Sequence, residues 1–187
     1  MKKVLIPIGI VAALLVLAVG MFSGSYNSLV SQREAVAASF NNIDVQLQRR
    51  ADLIPNLVST VQGFAAQEQS IIDSVTQARA QLAGAGTVQE KADADAALTG
   101  ALGRLLVVVE NYPELKSDAN FRQLMDELAG TENRISVSRL DYNELARGYN
   151  TKVKSFPTLI FARIFGFEDV EYFEAAPGAA EVPEVTF

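Results

Sequence analysis

The residues of this chain that could do chemistry are arginines and carboxylates set inside apolar seams: Arg33, Arg50, Glu68, Glu132 and Arg139. The chain has no histidine and no cysteine. That removes the usual general base, the commonest metal ligand and any thiolate nucleophile. A metal would have to be held by carboxylates, carbonyls and water, a donor set that suits hard ions. Glu132 and Arg139 stand seven residues apart, on about one face of a helix. A charge facing a bundle interior must be paired or reach water. The favoured reading places these residues at helix edges, with apolar stems covered and charged heads in water. A polar layer that sets helix register is the second reading. A carboxylate metal or catalytic site is the third, and it is disfavoured because di-metal bundles use Glu-x-x-His pairs. No catalytic residue, cofactor-binding residue or metal ligand is therefore expected.

Other patterns carry less. Gly84-x-Gly86 has no preceding strand and no third glycine, so it reads as a turn and not as a dinucleotide fingerprint. Asp93-x-Asp95 lacks the rest of a calcium loop and reads as a solvated helix face. No phosphate loop, GxSxG elbow or HExxH motif occurs. Tyr142-Asn143 and Tyr149-Asn150 repeat one heptad apart. They read as core tyrosines whose hydroxyls find partners near a bundle end, with a ligand or partner groove as the second reading.

The elements that must position these residues are helices. Leu29, Val36, Phe40, Ile43, Leu47, Ile54, Leu57, Val61, Phe64, Ile71, Val75 and Leu82 keep a helical register. Pro55 lacks a backbone N–H and suits the first position of a helix. It therefore predicts a first helix over 26–50, with Arg49 and Arg50 in its last turn, and a second over 55–82. One long helix kinked at Pro55 and running to Ala83 is the alternative. Thr87 and Glu90 form a capping box for a third helix. That helix uses Leu98, Leu102, Leu105, Leu106 and Val109 and ends near 111–113. Ser117 or Asp118 caps a fourth, in which Phe121, Leu128, Ile135, Tyr142, Tyr149 and Phe156 recur every seven residues, with Leu124 and Leu145 on its flank. Pro157 should stop or kink it. Short loops make neighbouring helices antiparallel.

At the N-terminus, Lys2 and Lys3 precede an apolar run from Val4 to Phe22, and no charge follows until Arg33. Nineteen residues make ~28 Å of helix, close to the ~30 Å hydrocarbon core of a bilayer. An uncleaved anchor is the expectation, and a signal peptide cut near Ala18-Val19-Gly20 is the alternative. The lysines place the N-terminus inside and the following domain on the extracytoplasmic side. At the other end, residues 166–187 hold six acids and no base, which equals the whole net charge of −6. The remainder is balanced, so no basic stripe for nucleic acid exists.

The run Tyr26–Val30 (YNSLV), the block Ile43–Val58 (IDVQLQRRADLIPNLV) and Val61–Glu68 (VQGFAAQE) resemble the LemA family of bacterial membrane-anchored helical proteins. So do Ala78-Arg79, the region of Tyr112, Pro113 and Leu115, Tyr149-Asn150 and Phe156-Pro157. The resemblance runs from the anchor to about Phe173. It implies a membrane anchor, an up-and-down four-helix bundle and no established enzymatic activity, so no catalytic residues carry over. Phe40 and Ala51 depart from the family, where bulky aromatics are common, and that touches local packing only.

The expected organisation is all-α. An N-terminal anchor spans 1–24, an antiparallel up-and-down four-helix bundle 25–157, an apolar segment 158–174 and a disordered acidic tail 175–187. The expected function is that of a non-enzymatic structural or interaction protein of the bacterial inner membrane, self-associating or serving as an adaptor for envelope proteins. Leu159, Ile160, Phe161, Ile164, Phe165 and Phe167 are the candidate contact residues, with the outer face of the first helix. They could fold over the bundle end, touch the membrane surface or meet a neighbouring subunit. The alternative function is a sensor bundle that binds a small ligand and signals through a partner.

Overall fold

A computed structural model describes residues 2–174, with side chains described for 20 and 22–174. The expected tail at 175–187 lies outside the described residues, as do the side chains of most of the expected anchor. The described residues form six helices and no strand: α1 Lys2–Phe64, α2 Gln69–Gly84, α3 Val88–Val109, α4 Pro113–Ser117, α5 Ala119–Lys154 and α6 Thr158–Phe165. The backbone of 4–22 is part of α1. Among the described residues no helix is long and apolar enough to cross a membrane.

The chain divides into two compact units. One holds Met1–Ala38 with Glu144–Val170, the other Ser39–Asn143 with Glu171–Phe187. Helices α1 and α5 contribute to both.

The second unit is a helical bundle made by α1 from Ser39 onward, α2, α3, α4 and the first part of α5. Its core is Ile43, Leu47, Ile54, Leu57 and Val61 of α1, Ile72, Val75 and Leu82 of α2, Leu98, Leu102, Leu105 and Val109 of α3, and Phe121, Leu128, Ile135 and Tyr142 of α5. Paired positions give the sense of the helices. Phe40 meets the ring of Tyr142, and Arg50 meets Glu132, so α1 and α5 run in opposite directions. Lys91 pairs with Asp44 and Asp95 with Arg50, so α1 and α3 run the same way. Helix α2 packs on α3.

Pro55 does not break the first helix. Helix α1 runs through it and ends at Phe64, so neither the break at Pro55 nor a fused helix to Ala83 is found. The physical reason is a substitute donor. In a helix the N–H at position 55 would bond the carbonyl of residue 51, and proline has none. The Ala51 carbonyl instead accepts from Arg79 Nε of α2 at 2.9 Å, and the Pro55 ring lies in water. The turn comes at residues 65–68, where Ala65 and Glu68 carry turn hydrogen bonds. The seam shifts with it: Ala65 and Ile72 are buried, Ile71 is half-buried and Phe64 is exposed. Leu106 is exposed as well, leaving Leu105 as the α3 core residue of that pair.

The caps follow the sequence. Thr87 accepts from the Glu90 N–H, and the Glu90 carboxylate accepts from Gly86 and Thr87 N–H groups. Those backbone donors hold the Glu90 carboxyl below its ordinary range. Asp118 caps α5 by accepting from Phe121 N–H at 2.9 Å. Thr87→Ala is expected to cost about 1 kcal/mol. A thermal melt of the whole chain in detergent checks it, and an unchanged midpoint would show the cap to be idle.

In the first unit, α1 up to Ala38 packs with the end of α5 and with α6. Leu29 and Val36 of α1 are buried, with Ala146, Tyr149 and Val153 of α5. Helix α5 stops at Lys154, ahead of Pro157, as proline requires. Phe156 therefore leaves the heptad seam and is 81% exposed. Gly166 ends α6 in the left-handed conformation, φ 70°, where a side chain would be strained. Phe167 N–H then returns to the Ala162 carbonyl at 2.9 Å.

Candidate functional site

The second unit holds a layer of charge inside its core. Arg50 occupies a heptad position of α1, seven residues from both Ile43 and Leu57, and is 4% exposed. It therefore sits in mid-helix and in the core, not in a last turn. Its Nη1 lies 2.6 Å from Asp95 Oδ1 of α3 and 2.6 Å from Glu132 Oε2 of α5. Arg139, two turns further along α5, pairs with the other oxygen of Asp95. Asp95 itself is 1% exposed, which corrects its reading as part of a solvated face. The small residues Ala92 and Ala94 are buried beside it, and they let α3 approach closely enough to bring a short carboxylate into the interior.

Three of the five charges singled out in the sequence therefore meet, joined by Asp95, whose local pattern predicts a solvated face. A polar layer is found here where helix-edge residues were expected. Glu68 sits elsewhere and accepts from the Tyr112 hydroxyl at 3.0 Å. Arg33 is exposed in the first unit. The layer carries two positive and two negative charges, so it is balanced without an outside ion. Its hydrogen bonding is incomplete: Arg50 Nε and Arg139 Nε have no hydrogen-bond partner, and Glu132 Oε2 is close to Arg50 Nη1 as an ion pair without the angle of a hydrogen bond. A half-satisfied buried network contributes little net stability. Its physical effect is to oppose any sliding of α1, α3 and α5 that would separate the charges.

The two Tyr-Asn steps have a shared use. In the first unit, the Asn150 side chain both donates to the Val170 carbonyl and accepts from the Val170 N–H, each at 2.8 Å. In the second, Asn143 donates to the Phe173 carbonyl at 3.0 Å and accepts from its N–H at 2.8 Å. The Tyr142 hydroxyl donates to the Glu171 carbonyl at 2.7 Å, and the Arg139 guanidinium lies over the Phe173 ring, 4.8 Å from its centre. Each asparagine thus satisfies both backbone groups of one residue in the segment after α6. The tyrosines are core residues, as expected, and the place of the groove that was the second reading is taken by the chain's own backbone.

The candidate contact residues sort by face. On α6, Thr158 and Ala162 are buried, Leu159 and Phe161 are half-buried, and Ile160 and Ile164 face outward. Phe161 and Phe165 pack edge-on against Phe22 of α1, with ring centres 4.7 and 5.5 Å away. Tyr26 meets Phe165 at 5.0 Å and the buried Phe167 at 5.6 Å. Ile160 and Ile164 are therefore the positions that report on outside contacts; Phe161 belongs to internal packing, and Phe165 packs one edge on α1 while 44% of it stays exposed.

A family model described as the LemA family matches residues 39–187. The chain belongs to the LemA family. The match covers both asparagine clamps and the whole charge layer. Among curated proteins, the chain is 32% identical over 187 residues to "Magnetosome protein MamQ 2" of Paramagnetospirillum magneticum, covering 86% of this chain and 68% of that protein. It is 30% identical, with the same coverage, to "Magnetosome protein MamQ" of Magnetospirillum gryphiswaldense. "Protein LemA" of Metamycoplasma hominis is 24% identical over 170 residues, 86% of this chain and 76% of that one.

For this LemA-family chain the electrostatics give a pH profile. Tyr112 is pushed above its ordinary value by its bond to Glu68, Tyr142 by burial and then by the Glu171 charge, and Tyr149 by burial. A phenol raised in the folded state stays protonated there while the unfolded chain ionises. Stability is then full below pH ~10 and falls as pH rises through the folded values. Having no histidine, the chain should melt at a constant temperature from pH 6 to 9 and lower above 10. A step near pH 6.5 in detergent would contradict this.

Proposed function

We propose that this protein is a non-enzymatic, membrane-anchored structural protein. Residues 4–22 span the bacterial inner membrane, and an up-and-down bundle stands on the extracytoplasmic side. It self-associates or serves as an adaptor for envelope proteins through the outer face of α1, and the 159–167 segment makes its outside contacts beside the anchor. Tethering in two dimensions raises the effective concentration of such contacts, so weak ones suffice. One observation carries the non-enzymatic reading. Among the described residues, the charged side chains buried in the core are Arg50 and Asp95, and they bond each other. Of the five charged residues that might do chemistry, Arg50, Glu132 and Arg139 are committed to the layer that holds helices in place. The MamQ relatives are named as magnetosome proteins, which supports a part in a cell structure.

The test is fractionation and mass. The whole protein should stay in the membrane pellet through an alkaline carbonate wash and dissolve only in detergent. Light scattering in detergent should then give a multiple of the 20.2 kDa chain. Release by carbonate removes the anchor from the proposal. A single-chain mass removes self-association and leaves a different partner.

A further inference from the structure

The outward face of α6 carries two large apolar side chains and a single charge, Arg163, whose long stem lets its head reach the headgroups while the stem stays among apolar groups. Ile160 is 49% and Ile164 65% exposed, one turn apart, and Phe156 just before the helix is more exposed still. The place of this face along the chain says what covers it. Phe22, whose ring packs on Phe161 and Phe165, is the last residue of the apolar run. Tyr26, which packs on Phe165, stands one turn later, ~6 Å along α1. Beyond the hydrocarbon, each side of a bilayer has a headgroup layer of roughly 5–8 Å. Helix α6 is thus pinned by its aromatic side to the two turns of α1 that would cross that layer. A protein partner reaching Ile160 and Ile164 there would have to displace lipid; lipid is already present.

We propose that α6 is an interfacial helix whose Ile160–Ile164 face lies in the lipid surface beside the anchor. This rests on the anchored reading above and names the lipid as the partner of the segment. Three faces of one short helix then have three uses: Thr158 and Ala162 face the protein, Phe161 and Phe165 face α1, and Ile160 and Ile164 face acyl chains. An amphipathic helix of this kind lies in the plane of the interface, and Tyr26 at that depth suits the aromatic belt. Fixed to α1 on one side and to lipid on the other, α6 limits the tilt of the first unit on the membrane.

The chain has no cysteine, so single nitroxide labels can be placed in the full-length protein. We would label Ile164→Cys, Leu14→Cys and the water-exposed Val107→Cys of α3, each in vesicles of phosphatidylcholine and phosphatidylglycerol. Power saturation compares collision with oxygen, which concentrates in lipid, and with a nickel chelate, which stays in water. The expected result is an oxygen-to-nickel ratio at 164 several-fold above that at 107, with 14 higher still. A lipid signal at 14 with a water signal at 164 overturns the α6 assignment and leaves the anchor standing. A water signal at 14 overturns the anchor and this inference with it. Line broadening at 164 that disappears on mixing with unlabelled chain means a second copy covers the face, and it also overturns the proposal.

Discussion

Asp95→Ala should lower stability by about 3–5 kcal/mol, because it leaves Arg50 and Arg139 without the carboxylate they share. For a chain of this size that is a fall in melting temperature of about 6–20 °C, measured on the whole protein in detergent. Asp95→Asn preserves the volume and should lose most of the same amount, since it is the charge that both guanidinium groups require. The combined replacement Arg50→Met, Asp95→Leu, Glu132→Met and Arg139→Leu removes all four charges of the layer and should come within about 1 kcal/mol of the parent or exceed it, because apolar groups need no partner. If the layer specifies register, this quadruple variant melts near the parent temperature but with a broader transition and altered packing of α3. A nearly silent Asp95→Ala would mean that water reaches the layer, and the core reading would be lost.

The second large effect concerns the proline inside α1. Arg79→Ala removes the donor to the Ala51 carbonyl and leaves a buried acceptor unpaired, which should cost about 1–3 kcal/mol. Pro55→Ala restores a backbone N–H at the position that bonds this carbonyl. It should therefore be neutral or stabilising on its own, and in its presence Arg79→Ala should cost little. The double-mutant cycle isolates the coupling, expected at about 1 kcal/mol or more with the sign of mutual dependence. Additive effects would show that Arg79 matters by packing alone. Arg79→Lys separates the two further, since a lysine Nζ sits farther out than the guanidinium Nε.

Both effects depend on residues whose roles differ in legibility. The heptad positions 43, 47, 54, 57 and 61 of α1 and 121, 128, 135 and 142 of α5 are legible because burial follows a period that local chemistry repeats. The Thr87–Glu90 box and the Asp118 cap are legible for a similar reason: donor and acceptor lie within one turn. Arg50, Glu132 and Arg139 stood out as charges on apolar faces. Asp95 did not, because its neighbours are alanines. A run of small residues reads as exposed until another helix is known to press against it. The signal available was Asp95 in heptad register with Leu102 and Val109, which are both buried.

What the sequence determined by itself is the all-α class, the family, the capped ends of α3 and α5, the end of α5 ahead of Pro157, and the heptad faces that make the core. These depend on period and on partners a few residues apart. The tertiary structure decided the rest. It carried α1 through Pro55, because the replacement for the missing hydrogen bond comes from Arg79, 28 residues away. It gathered the charge layer, because Asp95 lies 45 residues from Arg50 and 44 from Arg139. It used the two asparagines as clamps, because their partners at 170 and 173 return only after α6 has turned the chain. In each case the deciding bond joins residues with no local relation, and local pattern carries no information about which distant group will satisfy a buried polar atom.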